Sequence, residues 1–167
     1  MQYTLVSDKV SYYSPVYLGN TERLTFSDKA YALSTDTITS LHFHRCLEIG
    51  ICVKGRGTCI IENRAYSYSA GDIQVVLPFQ PHLSNGDPDD PGCWKYLSFD
   101  PYKGLVDGDT TLCSLIEKDV HFSGVFSKNE YPQLTEIIEH CIAEYDQNNK
   151  HAHRYASLLL QQLILEL

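Results

Sequence analysis

The residues best suited to chemistry lie in two short stretches. In "LHFHRCLEIGICVKGRG", Leu41 to Gly57, two histidines stand two apart, and a glutamate follows four residues after the second. Along an extended strand alternate side chains share a face, so His42 and His44 present both imidazoles together. "RCL" is long enough to turn the chain, and Glu48 then opens the next strand beside them. A further histidine, His82, closes "GDIQVVLPFQPH" after a strand and a proline-containing bend. Three neutral imidazoles and one carboxylate suit a divalent first-row ion, with positions left for water or substrate. Zinc, nickel, manganese and iron fit such a set alike. The same four side chains also fit the hydrogen-bonded polar floor of a ligand pocket. The HxH pair does not decide between the two, because alternating histidines also serve packing and hydrogen bonding in ordinary strands.

Three aromatic residues are further candidates. Tyr66 and Tyr68 alternate with serines and so share one sheet face, where they offer hydroxyls to a ligand or simply pack. Trp94 is the only tryptophan; it opens a strand, placed either to stack on a sugar or aromatic ligand or to fill the core. Arg56, Arg64 and Lys95 would suit a carboxylate or phosphate, but Arg56 and Arg64 fall in predicted turns and are expected to be solvated. "NGDPDDPG", Asn85 to Gly92, matches neither an EF-hand loop nor a phosphate cradle. It reads as an acidic surface loop, with gating of a nearby pocket as the functional alternative. Nucleophilic and nucleotide-phosphate chemistry find no support, since GxSxG, Walker and GxGxxG motifs are all missing.

The elements that must position these residues change character near residue 110. Before it, short runs rich in Val, Ile, Thr and aromatics read as strands: "YALSTDTITSLHF", "EIGICVK", "GTCIIE", "AYSYS", "DIQVVL" and "WKYLSF". "KGRG", "ENR", "SAGD" and "NGDPDDPG" punctuate them as turns or loops. Such regular short strands predict an antiparallel barrel or sandwich. From Tyr131 the period becomes helical, with Leu134, Ile137, Ile138, Cys141, Ile142 and Tyr145 on one apolar stripe. "DQNNK" interrupts it, and a second helix is expected from about His153 to Leu167. That helix is apolar on more than one face, which predicts a partner surface as well as a barrel contact. Leu134, Ile138, Cys141 and Tyr145 on the first helix, with Tyr155, Leu158, Leu159 and Leu163 on the second, form the expected dimer and linker face. No glycine, asparagine or proline terminates the second helix, so a continuation of the chain is expected.

Composition narrows the class. A chain of 167 residues with 43% hydrophobic and 20% charged residues suits one folded domain. A net charge of -8 without any basic run would repel a phosphate backbone, so these residues are not expected to touch DNA or RNA. The N-terminus carries no basic-then-apolar signal pattern, and no run reaches membrane-spanning length, so a cytoplasmic protein is expected. The six cysteines, without any CxxC pair, read as buried free thiols.

Taken in order, these motifs carry a family resemblance. "HFHRCLEIGICVKG" resembles the first cupin motif, HxHx(3)Ex(6)G, at His42, His44, Glu48 and Gly55. "GDIQVVLPFQPH" is similar to the second, with Gly71 leading the strand and His82 at the expected distance. The two motifs depart in three places: Asp36 stands where the first expects a glycine six residues before His42, Phe79 replaces the glycine of the second, and its closing Asn85 falls one position early. Followed by "WKYLSFDP" and two helices, the order resembles the N-terminal sensor and dimerisation domain of AraC-type bacterial transcription regulators, over roughly residues 25–167.

The resemblance implies a mainly β, cupin-type jelly-roll barrel over residues 1–110, followed by two C-terminal helices over residues 111–167 in the same structural domain. It implies a small-molecule effector in the barrel, a sugar or small organic acid, lined by His42, His44, Glu48, His82, Tyr66, Tyr68 and Trp94. It further implies a homodimer, and DNA contact only through helix-turn-helix motifs outside this chain. Regulators of this kind keep such histidines while binding organic effectors, so metal ligation by His42, His44, Glu48 and His82 stays open. The alternative is a small metal-dependent cupin enzyme, an isomerase or dioxygenase.

Overall fold

The computed structural model describes residues 11–12, 24–30, 41–100, 123–146, 158, 161–162 and 165–166. Ten strands are defined: β1 Ser11–Tyr12, β2 Leu24–Ala30, β3 His42–Phe43, β4 Leu47–Lys54, β5 Arg56–Ile61, β6 Arg64–Ser69, β7 Ile73–Val76, β8 His82–Gly86, β9 Cys93–Phe99 and β10 Gly124–Phe126. One helix, α1, spans Pro132–Asp146. The strands form two five-stranded sheets, ordered β1-β3-β8-β5-β6 and β10-β7-β4-β9-β2. Every pairing between strands is antiparallel except the parallel β1–β3 contact.

Register decides which residues face the space between the sheets, because directly paired residues share a face. On the second sheet Glu48 pairs with Val76 and Ser98, Gly50 with Gln74 and Tyr96, and Cys52 with Trp94. On the first, His82 pairs with His42 and Ile61, and Cys59 with Ser84 and Tyr66. These sets meet each other, as contacts of Glu48 with His82, Gln74 with Ser84, and Trp94 with Tyr68 show. The alternate residues of β4, β7 and β9 (Leu47, Ile49, Ile51, Ile73, Val75 and Leu97) turn to the other face and are buried there.

Helix α1 lies against β4. Pro132 occupies its first position, where a missing N–H costs nothing. The expected apolar stripe is real: Leu134, Ile137, Ile138, Cys141 and Ile142 are all buried. Thr135 donates from Oγ1 to the Gly71 carbonyl at 2.9 Å and fastens the helix to the β6–β7 turn. Leu134, Ile138 and Cys141 are therefore enclosed within the chain itself, whereas the sequence expectation shared this stripe with a partner. The side chain of Tyr145 and residues Tyr155, Leu159 and Leu163 lie outside the described set. Within the expected second helix, residues 158, 161, 162, 165 and 166 are helical, and Leu158 and Leu165 are exposed.

Two strands depart from the expected layout. Strand β8 runs through Asn85 and Gly86, which read as the start of the acidic loop. Its inward residues His82 and Ser84 are polar, so hydrophobic alternation could not announce it. Strand β10 comes from beyond residue 110, yet hydrogen-bonds to β7. The described cysteines are all free; Cys46, Cys52, Cys59 and Cys141 are buried and Cys93 is half-buried. Cys113 lies outside the described residues.

Candidate functional site

His42 sits on β3, His44 just after it, Glu48 at the second position of β4 and His82 at the start of β8. Two sheets thus deliver the four side chains to one place. The ring centroids of His42 and His82 are 4.3 Å apart, those of His44 and His82 4.9 Å, and those of His42 and His44 6.0 Å. One ring nitrogen from each histidine falls within 4.8 Å of the others. The Glu48 carboxylate stands 3.4 Å from His44 Nε2 and 3.7 Å from His82 Nε2. His44 and His82 are each 2% exposed, while His42 is half-buried and the Glu48 side chain is 15% exposed.

Hydrogen bonding fixes the chemistry of two of these rings. His44 Nδ1 meets the Cys46 carbonyl at 3.0 Å, and His82 Nδ1 meets the Gln80 carbonyl at 2.8 Å. A carbonyl only accepts, so each Nδ1 carries the proton, and in the neutral ring Nε2 keeps its lone pair. Both Nε2 atoms are buried without a hydrogen-bond partner. Burial holds the His82 pKa down to about 4, outweighing the attraction of Glu48, so His82 is neutral near pH 7. For Glu48 burial favours the protonated form, but the close approach of His44 and the proximity of the other two imidazoles prevail and lower its pKa. The result is an ionised carboxylate facing imidazole lone pairs, an arrangement that a cation between them would relieve.

The donor set passes a simple fit test for a metal. Tetrahedral ligands at about 2.0–2.1 Å from an ion lie about 3.3 Å from one another. The observed carboxylate–imidazole separations of 3.4 and 3.7 Å are close to that value, while the three imidazole nitrogens, within 4.8 Å of one another, would have to draw in around an ion. Carbonyls holding the far nitrogens supply the outer hydrogen bonds that orient ligating histidines.

Phe79 shows how the second motif works without its glycine. It holds φ 66, the left-handed conformation that glycine adopts freely, and donates its N–H to the His44 carbonyl at 2.7 Å. Its side chain is 55% exposed. The turn is retained at a backbone cost of about 1–2 kcal/mol. It ties the segment leading to His82 onto His44.

The aromatic candidates occupy a different part of the interior. Trp94 is fully buried and Tyr68 is 3% exposed, with their rings 4.7 Å apart edge to face; Trp94 also stacks on Tyr96 at 5.6 Å. Tyr68 donates its hydroxyl to the Asn85 carbonyl at 3.0 Å. The Trp94 indole N–H lies beside that hydroxyl, without hydrogen-bond geometry. Tyr66 is half-buried against the same cluster. Gly50 makes this packing possible, because a Cβ there would enter the Tyr96 ring. The structure therefore groups His42, His44, Glu48 and His82 together, with Tyr66 one layer and Tyr68 and Trp94 two layers further along the strands. Arg56 and Arg64 are exposed, and Arg56 pairs with Asp87 at 3.1 Å; Lys95 points away from the interior. Main-chain bonds between Arg56 and residues Asp87 and Asp90 tie the acidic loop to β5.

Sequence reasoning missed one polar group. Gln74 is 1% exposed on β7, and its Oε1 accepts from the Ser84 hydroxyl at 3.2 Å and the Tyr96 hydroxyl at 3.4 Å. The available signal was a lone amide at an alternating position within the otherwise apolar run "IQVV".

The family described as AraC-like ligand binding domain matches residues 29–167. No similar sequence was found among curated proteins. A cupin protein from Bacteroides fragilis is 18% identical, with 53% of this chain and 72% of that one covered and a TM-score of 0.40. The AraC-like transcriptional activator CuxR is 16% identical, with 73% of this chain and 43% of that one covered and a TM-score of 0.47. Oxalate decarboxylase from Bacillus subtilis, a protein with Mn(II) centres, is 19% identical, with 48% of this chain and 22% of that one covered and a TM-score of 0.40. Among the described residues no helix is long and apolar enough to cross a membrane. With its family match spanning most of its length, the chain belongs to the AraC-like ligand-binding domains.

Proposed function

We propose that this chain is the effector-sensing and dimerising part of a cytoplasmic AraC-type transcription regulator, and that its effector is received at the His42–His44–Glu48–His82 cluster. The observation that carries this reading is the convergence of two buried, unpartnered Nε2 lone pairs on the Glu48 carboxylate. His42, His44, His82 and Glu48 would hold a divalent ion there, which would supply a local positive charge for an anionic or hydroxyl group of the effector. The partial exposure of Glu48 and His42 supports entry of that group from their side. The barrel and the C-terminal segment act as one unit, an assignment supported by β10 in the sheet and by the Thr135–Gly71 bond. Exposed Leu158 and Leu165 favour the last helical residues, more than α1, as the surface for a second copy. Effector binding then biases the dimer and, through it, helix-turn-helix motifs outside this chain.

Thermal-shift screening of sugars and small organic acids, with and without metal, tests the reading alongside sedimentation. The expected result is a dimer whose melting temperature rises with one ligand class only in the metal-loaded form. A monomer at high concentration, or a response indifferent to the metal, would contradict it. The same four-ligand geometry supports a second reading, a metal-dependent enzyme. Turnover of a bound acid, lost with the metal in His44→Ala, would favour that reading.

A further inference from the structure

Gln74 stands inside the barrel as a second buried group in need of a partner. Its Nε2 has no hydrogen-bond partner, while its Oε1 accepts from two hydroxyls, on Ser84 of the opposite sheet and on Tyr96 of its own. Those bonds fix the amide plane from both sheets. Cys59 backs the arrangement: its thiol lies beside Ser84, and burial pushes its pKa up to about 12, so it stays a neutral donor. A buried amide N–H left unpaired costs about 1–3 kcal/mol, so a pre-set one is an unusual thing for a core to keep.

Its position relative to the cluster is set by register. Val76 pairs with Glu48, and Gln74 is the next inward residue along β7, opposite Gly50. One inward step along a strand is about 6.6–6.8 Å. Tyr96 stands in the same layer as Gln74, across Gly50, and beyond them the packed rings of Trp94 and Tyr68 close the interior. A molecule spanning from the cluster to Gln74 would be short, with one end at the histidines and the other presenting an oxygen acceptor to an amide N–H.

We propose that Gln74 is an effector-binding residue and that the effector is a short dicarboxylic or keto acid, one carboxylate at the His/Glu cluster and a second acceptor oxygen at Gln74 Nε2. The inference rests on the metal-holding reading given above and narrows its ligand class. A sugar would bring hydroxyl donors to the unpaired donor as readily as acceptors, and an amine would leave it unpaired. A carboxylate or ketone oxygen offers only acceptors.

The test uses the chain loaded with Zn(II), with metal content measured in every sample. Malonate, succinate and glutarate are titrated by calorimetry, with propionate as the single-carboxylate control. At least one diacid is expected to bind more tightly than propionate. Gln74→Met is expected to weaken it about tenfold or more while retaining the ion and leaving propionate unchanged. The near-isosteric Gln74→Glu, which covers the case that the methionine variant misfolds, is expected to abolish diacid binding. In the wild-type protein the Gln74 side-chain NH2 cross-peak is expected to shift on addition of the diacid. Retained Zn(II) with diacid affinity unchanged in both variants, or an unmoved cross-peak, overturns the role of Gln74 alone. Failure of the wild-type chain to hold Zn(II) overturns the metal reading, and this inference with it.

Discussion

The two ends of the barrel interior are built on opposite principles. At the Trp94 end, inward side chains fill space: Trp94 stacks on Tyr96, Tyr68 meets Trp94 edge-on, and its hydroxyl is satisfied by the Asn85 carbonyl. At the Glu48 end, inward side chains converge without satisfying each other, with imidazole lone pairs set against a carboxylate. The same strands β4 and β9 run through both ends, so the difference comes from side chains a few residues apart. Unsatisfied buried polar groups cost stability at either end; the Trp94 end holds one, the indole N–H, whereas the Glu48 end aims two lone pairs at one carboxylate. It is this convergence that singles out the Glu48 end as the proposed site and leaves the Trp94 end as scaffold.

Removing the scaffold's largest member should have the largest effect. Trp94→Ala is expected to cost about 3–5 kcal/mol in denaturant unfolding, because a fully buried indole leaves a cavity that the sheets cannot close. Metal uptake by the folded fraction should be unchanged; lost uptake would show that the two ends are one cooperative unit.

Acid should attack the other end. The folded pKa of His82, about 4, lies below the ordinary 6.5, so between those values the unfolded chain binds the extra proton. Stability of the metal-free protein therefore falls as pH drops from 6.5 towards 4, by about 3 kcal/mol at most. Glu48, whose pKa is lowered, adds loss of the same sign as pH falls below its ordinary 4.5. Urea unfolding across this range should show the slope in the parent and a flatter curve in His82→Gln. Equal slopes would remove His82 as the source.

Smaller effects probe the joints. Gly50→Ala is expected to cost about 1–3 kcal/mol, because the added methyl meets the Tyr96 ring. Phe79→Gly is expected to raise stability by about 0.5–1 kcal/mol, since it relieves a left-handed φ at an exposed side chain while loosening the unfolded chain. Metal content should be the same in both variants, because neither side chain belongs to the cluster.

Much of this contrast was legible in the residues. The HxH pair and Glu48 were found because strand parity and one short turn suffice to bring them together, and His82 because its spacing resembles that of the second cupin motif. Helix α1 was found because five of its apolar positions share one face. Strand parity across longer turns was not legible, so Tyr68 and Trp94 could not be assigned to ligand or core until their packing was seen. Gln74 was hidden in an apolar strand whose inward face nothing in the sequence identified. Phe79 read as a departure from a motif, although its backbone does what a glycine would do.

The most direct test of the account is metal content. The protein would be purified without a histidine tag or chelator and assayed beside His44→Ala. Near one equivalent of a divalent ion in the parent and almost none in the variant, with similar stability of the two metal-free proteins, is the predicted result. No ion in the parent after exposure to zinc, nickel, manganese and iron would contradict it, and would leave the four side chains as a polar pocket floor.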